Sequence, residues 1–308
     1  MKRIIAHKVA RLILLVWCSV TLVFVGSRAL PGDPAEQLLG INGADAAMLQ
    51  ALRRAHGLDR PLVGQYANYL WRLAHGDFGR SIRSGIPVTT EIASRLPVTL
   101  SLAGFALTLG CAFGILAGMT LVYYHRRWQE SVGICVVALL NAIPLFVLGL
   151  FFLYGFSFGS SFLIAPDAGI RAVIIPGFVA ALSVAAYVAR LVRSGMLSAA
   201  RSDSVLALHA YGVSRRSLWF RHLLKNASIP LLTIVGLLFG ALLAGNILLE
   251  NIFALPGMGR LLVEGVLMRD YPVIQGSVIV IATSYLMLNT VVETCYPLLD
   301  PRTRGDRR

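Results

Sequence analysis

Four polar side chains, Asn141, Ser183, Asn246 and Asn289, stand inside otherwise apolar runs of this chain, with Glu250 and Glu293 at the ends of two such runs. An amide or hydroxyl in apolar surroundings exchanges hydrogen bonds with a neighbouring helix or with a solute in a polar path. Asn141 beside Pro144, Ser183, and Asn246 next to Gly245 are therefore candidates for lining such a polar path, with interhelical hydrogen bonding as the alternative role. Glu250 and Glu293 are read as interfacial carboxylates, where a charge costs little. Bond-breaking chemistry needs more than this. The runs hold no Ser/His set, no paired Asp and no HExxH, and the chain has no GxxxxGK[ST] loop to cradle a nucleotide. Cys18, Cys111, Cys135 and Cys295 each sit in a different apolar run, without CxxC or Cys/His spacing, and read as small buried hydrophobes. All six histidines lie outside the runs, so a naked metal ion would find no imidazole within them.

A second group of residues has the spacing of a docking element. In Asp203-Ser-Val-Leu-Ala-Leu-His-Ala-Tyr211, Ser202 or Asp203 can cap a helix N-terminus. Val205, Leu208 and Tyr211 fall on one helical face. Gly212 stands where a left-handed residue would stop that helix. Ser214 can cap the next one, which carries Leu218, Trp219, Leu223 and Leu224, and Pro230 suits the first turn of the apolar helix that follows. The polar, arginine-rich stretch from Arg190 to Pro230 is far longer than an ordinary inter-helix turn. It reads as a short amphipathic helix lying across the base of the protein; a helix resting in lipid headgroups is the alternative.

The elements around these residues follow from composition. The 308-residue chain is 56% hydrophobic and only 14% charged, as expected of an integral membrane protein. Its formal charge of +13 would suit nucleic acid, but the basic residues flank apolar runs and no aromatic residues interleave with them, so no nucleic-acid partner is expected. A membrane-crossing helix needs about 20 mostly apolar residues. Val9–Ser27, Leu100–Tyr124, Val132–Phe158, Ala172–Arg193, Leu231–Glu250 and Val273–Leu298 meet that requirement. They do not alternate as barrel strands do, so they are helices. The first lacks an A-x-A cleavage site and reads as an uncleaved span rather than a signal peptide.

Lysine and arginine placement sets the orientation. The N-terminus, Arg126-Arg127, the stretch Arg190–Lys225 and the tail are all basic and fall on one side, which is therefore the cytoplasmic side and holds both termini. The opposite side carries Arg28–Pro97, a small helical insertion with helices near Met48–His56 and Val63–Leu73. Gly110, Gly114 and Gly118 form a double GxxxG, and Gly236, Gly240 and Ala244 repeat the spacing; packing within the subunit or against a second subunit are the two readings. Pro144 and Pro176 are expected to kink the third and fourth spans.

With these residues in view, the chain resembles the permease subunits of ABC importers for dipeptides, oligopeptides and nickel or metal chelates. The likeness runs through Leu30-Pro-Gly-Asp-Pro34, Leu58-Asp-Arg-Pro61, Gly76-Asp-Phe-Gly-Arg80, Gly212, Arg221-His222, Asn226-Ala227 and Ile229-Pro230. It continues through Glu250-Asn-Ile-Phe253, Pro256-Gly-Met-Gly-Arg-Leu-Leu262, Arg269-Asp-Tyr-Pro-Val273 and Leu299-Asp-Pro-Arg302. The chain departs from the family at Leu206-Ala-Leu-His-Ala-Tyr-Gly212, where His209 and Tyr211 replace a basic pair, and in the outer end of the third span, Phe156–Pro166.

The resemblance implies an all-α polytopic protein with six transmembrane helices, a periplasmic insertion after the first and a cytoplasmic coupling helix between the fourth and fifth. It implies a bacterial inner-membrane, multi-pass location. Asp203, Val205, Leu206, Ala207, Leu208, Ala210, Tyr211 and Gly212 would couple to an ATPase. The implied partners are a homologous second permease forming a heterodimer, two cytoplasmic ABC ATPases that bind the ATP, and a periplasmic or lipid-anchored substrate-binding protein. The chain itself would carry no cofactor and no enzymatic activity. Organisation divides into 1–29, the insertion 30–98, a core 99–298 containing the coupling loop 194–229, and the tail 299–308. Asn226-Ala-Ser-Ile-Pro230 and Glu250-Asn-Ile-Phe253 favour a nickel or metallophore cargo over oligopeptides. A stand-alone channel or secondary transporter would need paired inverted repeats or mid-membrane charges, and the sequence has neither.

Overall fold

The computed structural model describes residues 2–29, 46–55, 59–157 and 172–299. The described residues are helical apart from turns, and the only strand-like pairing among them is an isolated bridge between Arg80 and Pro87. In chain order the helices are α1 (Lys2–Ala29), α2 (Ala46–Ala55), α3 (Leu62–Ala74), α4 (Val88–Tyr123), α5 (Trp128–Ala142) and α6 (Leu145–Ser157). They continue with α7 (Ile174–Ala200), α8 (Asp203–Ala210), α9 (Arg215–Ser217), a π-helical segment Leu218–Leu223, α10 (Leu224–Ile252), α11 (Met258–Leu267) and α12 (Tyr271–Leu299). Leu30–Pro34, Phe158–Pro166 and Asp300–Arg302, which carry parts of the family likeness or of its departures, lie outside the described residues.

Among the described residues five helices are long and apolar enough to cross a membrane: α1, α4, α7, α10 and α12. The expected third span is the exception. It divides into α5 and α6, bent by 99°. A residue before proline is pushed out of the helical region, and Ile143 sits at φ −79°, ψ 122°. Pro144 therefore does more than kink the helix: it ends α5 and opens α6. Pro176 does the opposite of what was expected, since it falls in the first turn of α7, where no N–H is needed and no kink follows.

The chain groups into two compact units. One comprises residues 1–99 and 256–286, the other residues 100–255 and 287–308. This grouping cuts across the order of the sequence, because α11 and the first half of α12 join the N-terminal residues.

In the first unit Val88, Ile92, Met258, Leu261 and Val273 form a buried core, with Phe78 and Leu96 against it. The motifs of the family likeness build this unit. Asp77 accepts hydrogen bonds from Arg72 Nε and Gly79 N at 2.8 Å each, closing a turn in which Gly76 and Gly79 have φ of 74° and 85°. That turn delivers Phe78 to the core. Asp270 is 4% exposed and accepts from Ser81 Oγ at 2.5 Å and Arg83 N at 3.2 Å. Its other oxygen accepts from Val273 N, capping α12, whose second residue Pro272 has no N–H to satisfy. Met258 N donates to the buried Thr99 Oγ1 at 2.8 Å, fixing the start of α11.

In the second unit, α4 packs closely on α7. A Cβ on Gly110 would fall 2.5 Å from Val184 Cβ, one on Gly114 2.5 Å from Val188 Cβ, and one on Gly118 2.8 Å from Val192 Cβ. The double GxxxG thus serves packing inside this subunit. Gly236 meets Asn289 in the same way, at 2.8 Å from its Oδ1. Apolar side chains remain outward on α5, where Val132, Val136 and Leu139 are 52%, 51% and 61% exposed, as a lipid or partner surface requires.

Candidate functional site: the linker between α7 and α10

The arginine-rich stretch is shorter as a loop than the sequence implied. Residues 194–200 continue α7, and 215–229 are helical, so only 201–214 connect the two long helices. Pro230 is correspondingly interior to α10 and does not open it. The helical path already starts at Arg215, where Ser214 Oγ accepts from Ser217 N at 3.4 Å and Ser214 O from Leu218 N at 3.0 Å. Within Leu218–Leu223 the backbone bonds lengthen to i→i−5, with Leu224 N donating to Trp219 O. Leu218, Leu223 and Ala227 are buried. A Cβ on Gly195 would sit 3.1 Å from Ala227 Cβ, so α7 and α10 run close together at this point.

The short helix α8 is present and ends as its sequence requires. Ser202 does not cap it through its hydroxyl, which donates back to Ala199 O at 2.7 Å; Asp203 places a carboxylate in its first turn instead. At the other end Gly212 has φ 77°, and Val213 N donates to Leu208 O at 3.2 Å, a six-residue closure that a left-handed glycine permits. The face read as Val205, Leu208 and Tyr211 is divided by the structure. Val205 is 7% exposed, Leu208 is partly buried and Tyr211 is 86% exposed. Val205 therefore anchors α8 to its own subunit, leaving Asp203, Ala207, Ala210, Tyr211 and Gly212 accessible. Leu206 and His209 belong to α8 by backbone; their side chains lie outside the described residues.

Beside this linker stands a polar knot the sequence reading missed. Glu130, in the first turn of α5, is 6% exposed and accepts from Arg193 Nε and Nη2 at 3.0 and 2.5 Å. It also accepts from Arg126 N at 2.6 Å and lies 3.0 Å from His125 Nδ1. Arg126 is a non-glycine residue at φ 66°, a conformation disfavoured for L-residues that Glu130 holds in place. The knot ties the α4–α5 turn to α7 two turns before α8. One signal was available: Glu130 is the lone acidic residue between Glu91 and Asp167.

The three path candidates are not joined. Asn141 is exposed, and its Nδ2 donates to Val137 O of its own helix at 2.9 Å. Ser183 Oγ and both amide atoms of Asn246 are buried without a hydrogen-bond partner, so no hydrogen bond links any of the three. Glu250, read as interfacial, is instead fully buried at 0% exposure, in a stretch whose Leu249, Ile252 and Phe253 pack against Gly149 of α6. Glu293 lies in α12 with its side chain outside the described residues. Among the described residues no group of His, Cys, Asp or Glu is placed to hold a metal ion.

These are the helices of a multi-pass membrane protein, and comparison with known proteins places the chain more narrowly. The model of the binding-protein-dependent transport system inner membrane component family matches residues 110–305, and the model of that component's N-terminal part matches residues 1–103. The chain therefore belongs to this family of inner-membrane permease subunits, which are not themselves enzymes. It is 37% identical over 316 residues to a putative peptide transport system permease protein of Brucella abortus (strain 2308), covering 99% of this chain and all of the relative. It is 36% identical over 286 residues to the glutathione transport system permease protein GsiC of Escherichia coli (strain K12), covering 92% of each. A crystal structure of an amino acid ABC transporter with histidines superposes with a TM-score of 0.53 at 20% identity, over 70% of this chain and 94% of that one, a likeness of fold.

Proposed function

We propose that the protein is one permease half of an ATP-driven importer of peptides or peptide-like solutes. It pairs with a homologous permease, and its α8 seats in a groove of a cytoplasmic ATPase. The observation that carries this reading is α8 itself: a short exposed helix, anchored at one point by Val205, stopped by Gly212 and set between two long helices packed together at Gly195 and Ala227. An ATPase pulling on such an element would move α7 and α10 together. ATP is bound by the partners. Both termini are cytoplasmic if α5 and α6 count as a single broken crossing, and the insertion 30–98 then faces the periplasm, where a binding protein delivers cargo.

The names of the relatives favour peptides over a nickel or metallophore cargo, the preference drawn from Asn226–Pro230 and Glu250–Phe253. Asn141 is the path candidate whose side chain is exposed in this conformation. The proposal is tested by Gly212→Pro. Proline cannot adopt φ 77°, so the stop of α8 is lost. Peptide uptake by the reconstituted complex should fall at least tenfold while the chain still inserts in the membrane. Unchanged uptake would sink the coupling role.

A further inference from the structure

A concavity lies in the first unit. It has a volume of about 380 Å³ and is formed by the end of α1, α2, α3, the turn after α3 and the start of α12. Among the described residues its lining holds five guanidinium groups, Arg28, Arg54, Arg60, Arg72 and Arg80, against one carboxylate, Asp77. Asp77 is engaged by Arg72 at 2.8 Å, and Arg80 Nη1 donates to Gly85 O at 3.0 Å. Among the described residues Arg28 has neutral partners: Gln65 Oε1 at 3.1 and 2.7 Å, Phe24 O at 3.4 Å, and the Phe24 ring 3.6 Å below its guanidinium. Arg54 and Arg60 are exposed. Among the described residues, positive charge therefore outweighs negative in a partly enclosed space. Low-dielectric walls focus such a field and raise the local concentration of anions.

The lining also offers a neutral donor. Tyr69 Oη is buried without a hydrogen-bond partner, and burial pushes its phenol well above the usual tyrosine range, so it keeps its proton. An unpaired buried hydroxyl is costly unless something completes it. An oxyanion would: it accepts from the tyrosine and from forked guanidinium donors together. Pockets of roughly 300–1,000 Å³ suit small organic molecules, and this one has room for the end of a short peptide.

We infer that this pocket captures the C-terminal carboxylate of a short peptide, holding cargo at the outer face through Arg28, Arg54, Arg60 and Tyr69. This rests on the peptide-importer reading and the orientation proposed above.

The test uses the complete complex of both permeases and both ATPases in nanodiscs, with trialanine and trialanine amide as probes. Trialanine should bind directly, and the amide, lacking the carboxylate, at least tenfold more weakly. Arg54→Gln together with Arg60→Gln should weaken trialanine binding about tenfold; neither guanidinium holds another part of the fold, so the variant should fold. Arg28→Gln should weaken it further. Raising salt from about 50 to 200 mM should lower affinity in the parent protein more than in the double variant. Equal binding of trialanine and its amide, or unchanged affinity in the double variant, would overturn the assignment. So would trialanine binding in phosphatidylcholine discs that disappears in phosphatidylglycerol discs, which would give the pocket to an anionic lipid headgroup. Uptake with the binding protein present separates the two levels. No uptake of any peptide sinks the importer reading, whereas normal uptake with unchanged affinity in the double variant sinks the pocket alone.

Discussion

Glu130 shows how much a single carboxylate organises here. It is nearly buried, and it neutralises Arg193 while holding the left-handed Arg126. Removing one partner of a buried ion pair leaves the other uncompensated, at a cost of roughly 3–5 kcal/mol. Glu130→Ala should therefore lower the melting temperature of the detergent-solubilised protein sharply. Glu130→Ala combined with Arg193→Ala should cost much less than the two single changes added, a result that additivity in the double-mutant cycle would contradict. Asp77 supports a pH prediction. The hydrogen bond from Arg72, then that from Gly79 N, holds its carboxyl below the ordinary range. A depressed folded value gives stability that is complete above the unfolded pKa of about 3.9 and is lost as pH falls through the folded value. Its side chain is 53% exposed, so the effect is modest. Asp77→Asn should flatten the acid limb of a melting-temperature profile below about pH 4 and leave the profile near neutrality parallel to that of the parent.

At the scale of elements, the most legible features were those that a local rule decides. An apolar run followed by Gly212 predicts where α8 stops, and the stop is there because φ 77° suits only glycine well. Double GxxxG spacing predicts close helix approach, and α4 meets α7 at all three glycines. The start of α10 was misplaced because proline is acceptable at a first turn but is also tolerated within long membrane helices. The break between α5 and α6 read as a kink because both halves are apolar, and hydropathy is blind to direction. Glu130 was passed over because apolar periodicity says nothing about which distant arginine a carboxylate meets. The packing on α7 gives a quantitative check. Gly114→Leu forces a side chain into the space of Val188, and overpacking of this kind costs about 1–3 kcal/mol. Gly104→Ala, with open space around a mid-helix position, should hold or slightly raise thermal stability. Equal melting temperatures for the Gly114→Leu variant and the parent would refute the close packing.

For the whole molecule, the family likeness was carried by motifs whose purposes the sequence alone did not disclose. Gly76–Arg80, Pro256–Leu262 and Arg269–Val273 turn out to form the turn, helix start and helix cap of one unit that joins residues 1–99 to residues 256–286. That pairing is long-range, and no local pattern encodes it. Helix α8, by contrast, is built from one contiguous stretch and stopped by its own glycine, and so it could be read in advance. The proposed division of labour follows: the first unit meets cargo, and the second converts ATPase motion into movement of α7 and α10. The central claim is that α8 is where the ATPase takes hold. Its most direct test is site-specific photo-crosslinking in the assembled, transport-active complex, with the reactive group placed in turn at Ala207, Tyr211 and Val205. Adducts with the ATPase from the exposed positions 207 and 211, and none from the buried position 205, are the predicted result; no adduct from 207 or 211 in a complex that still imports peptide would contradict it.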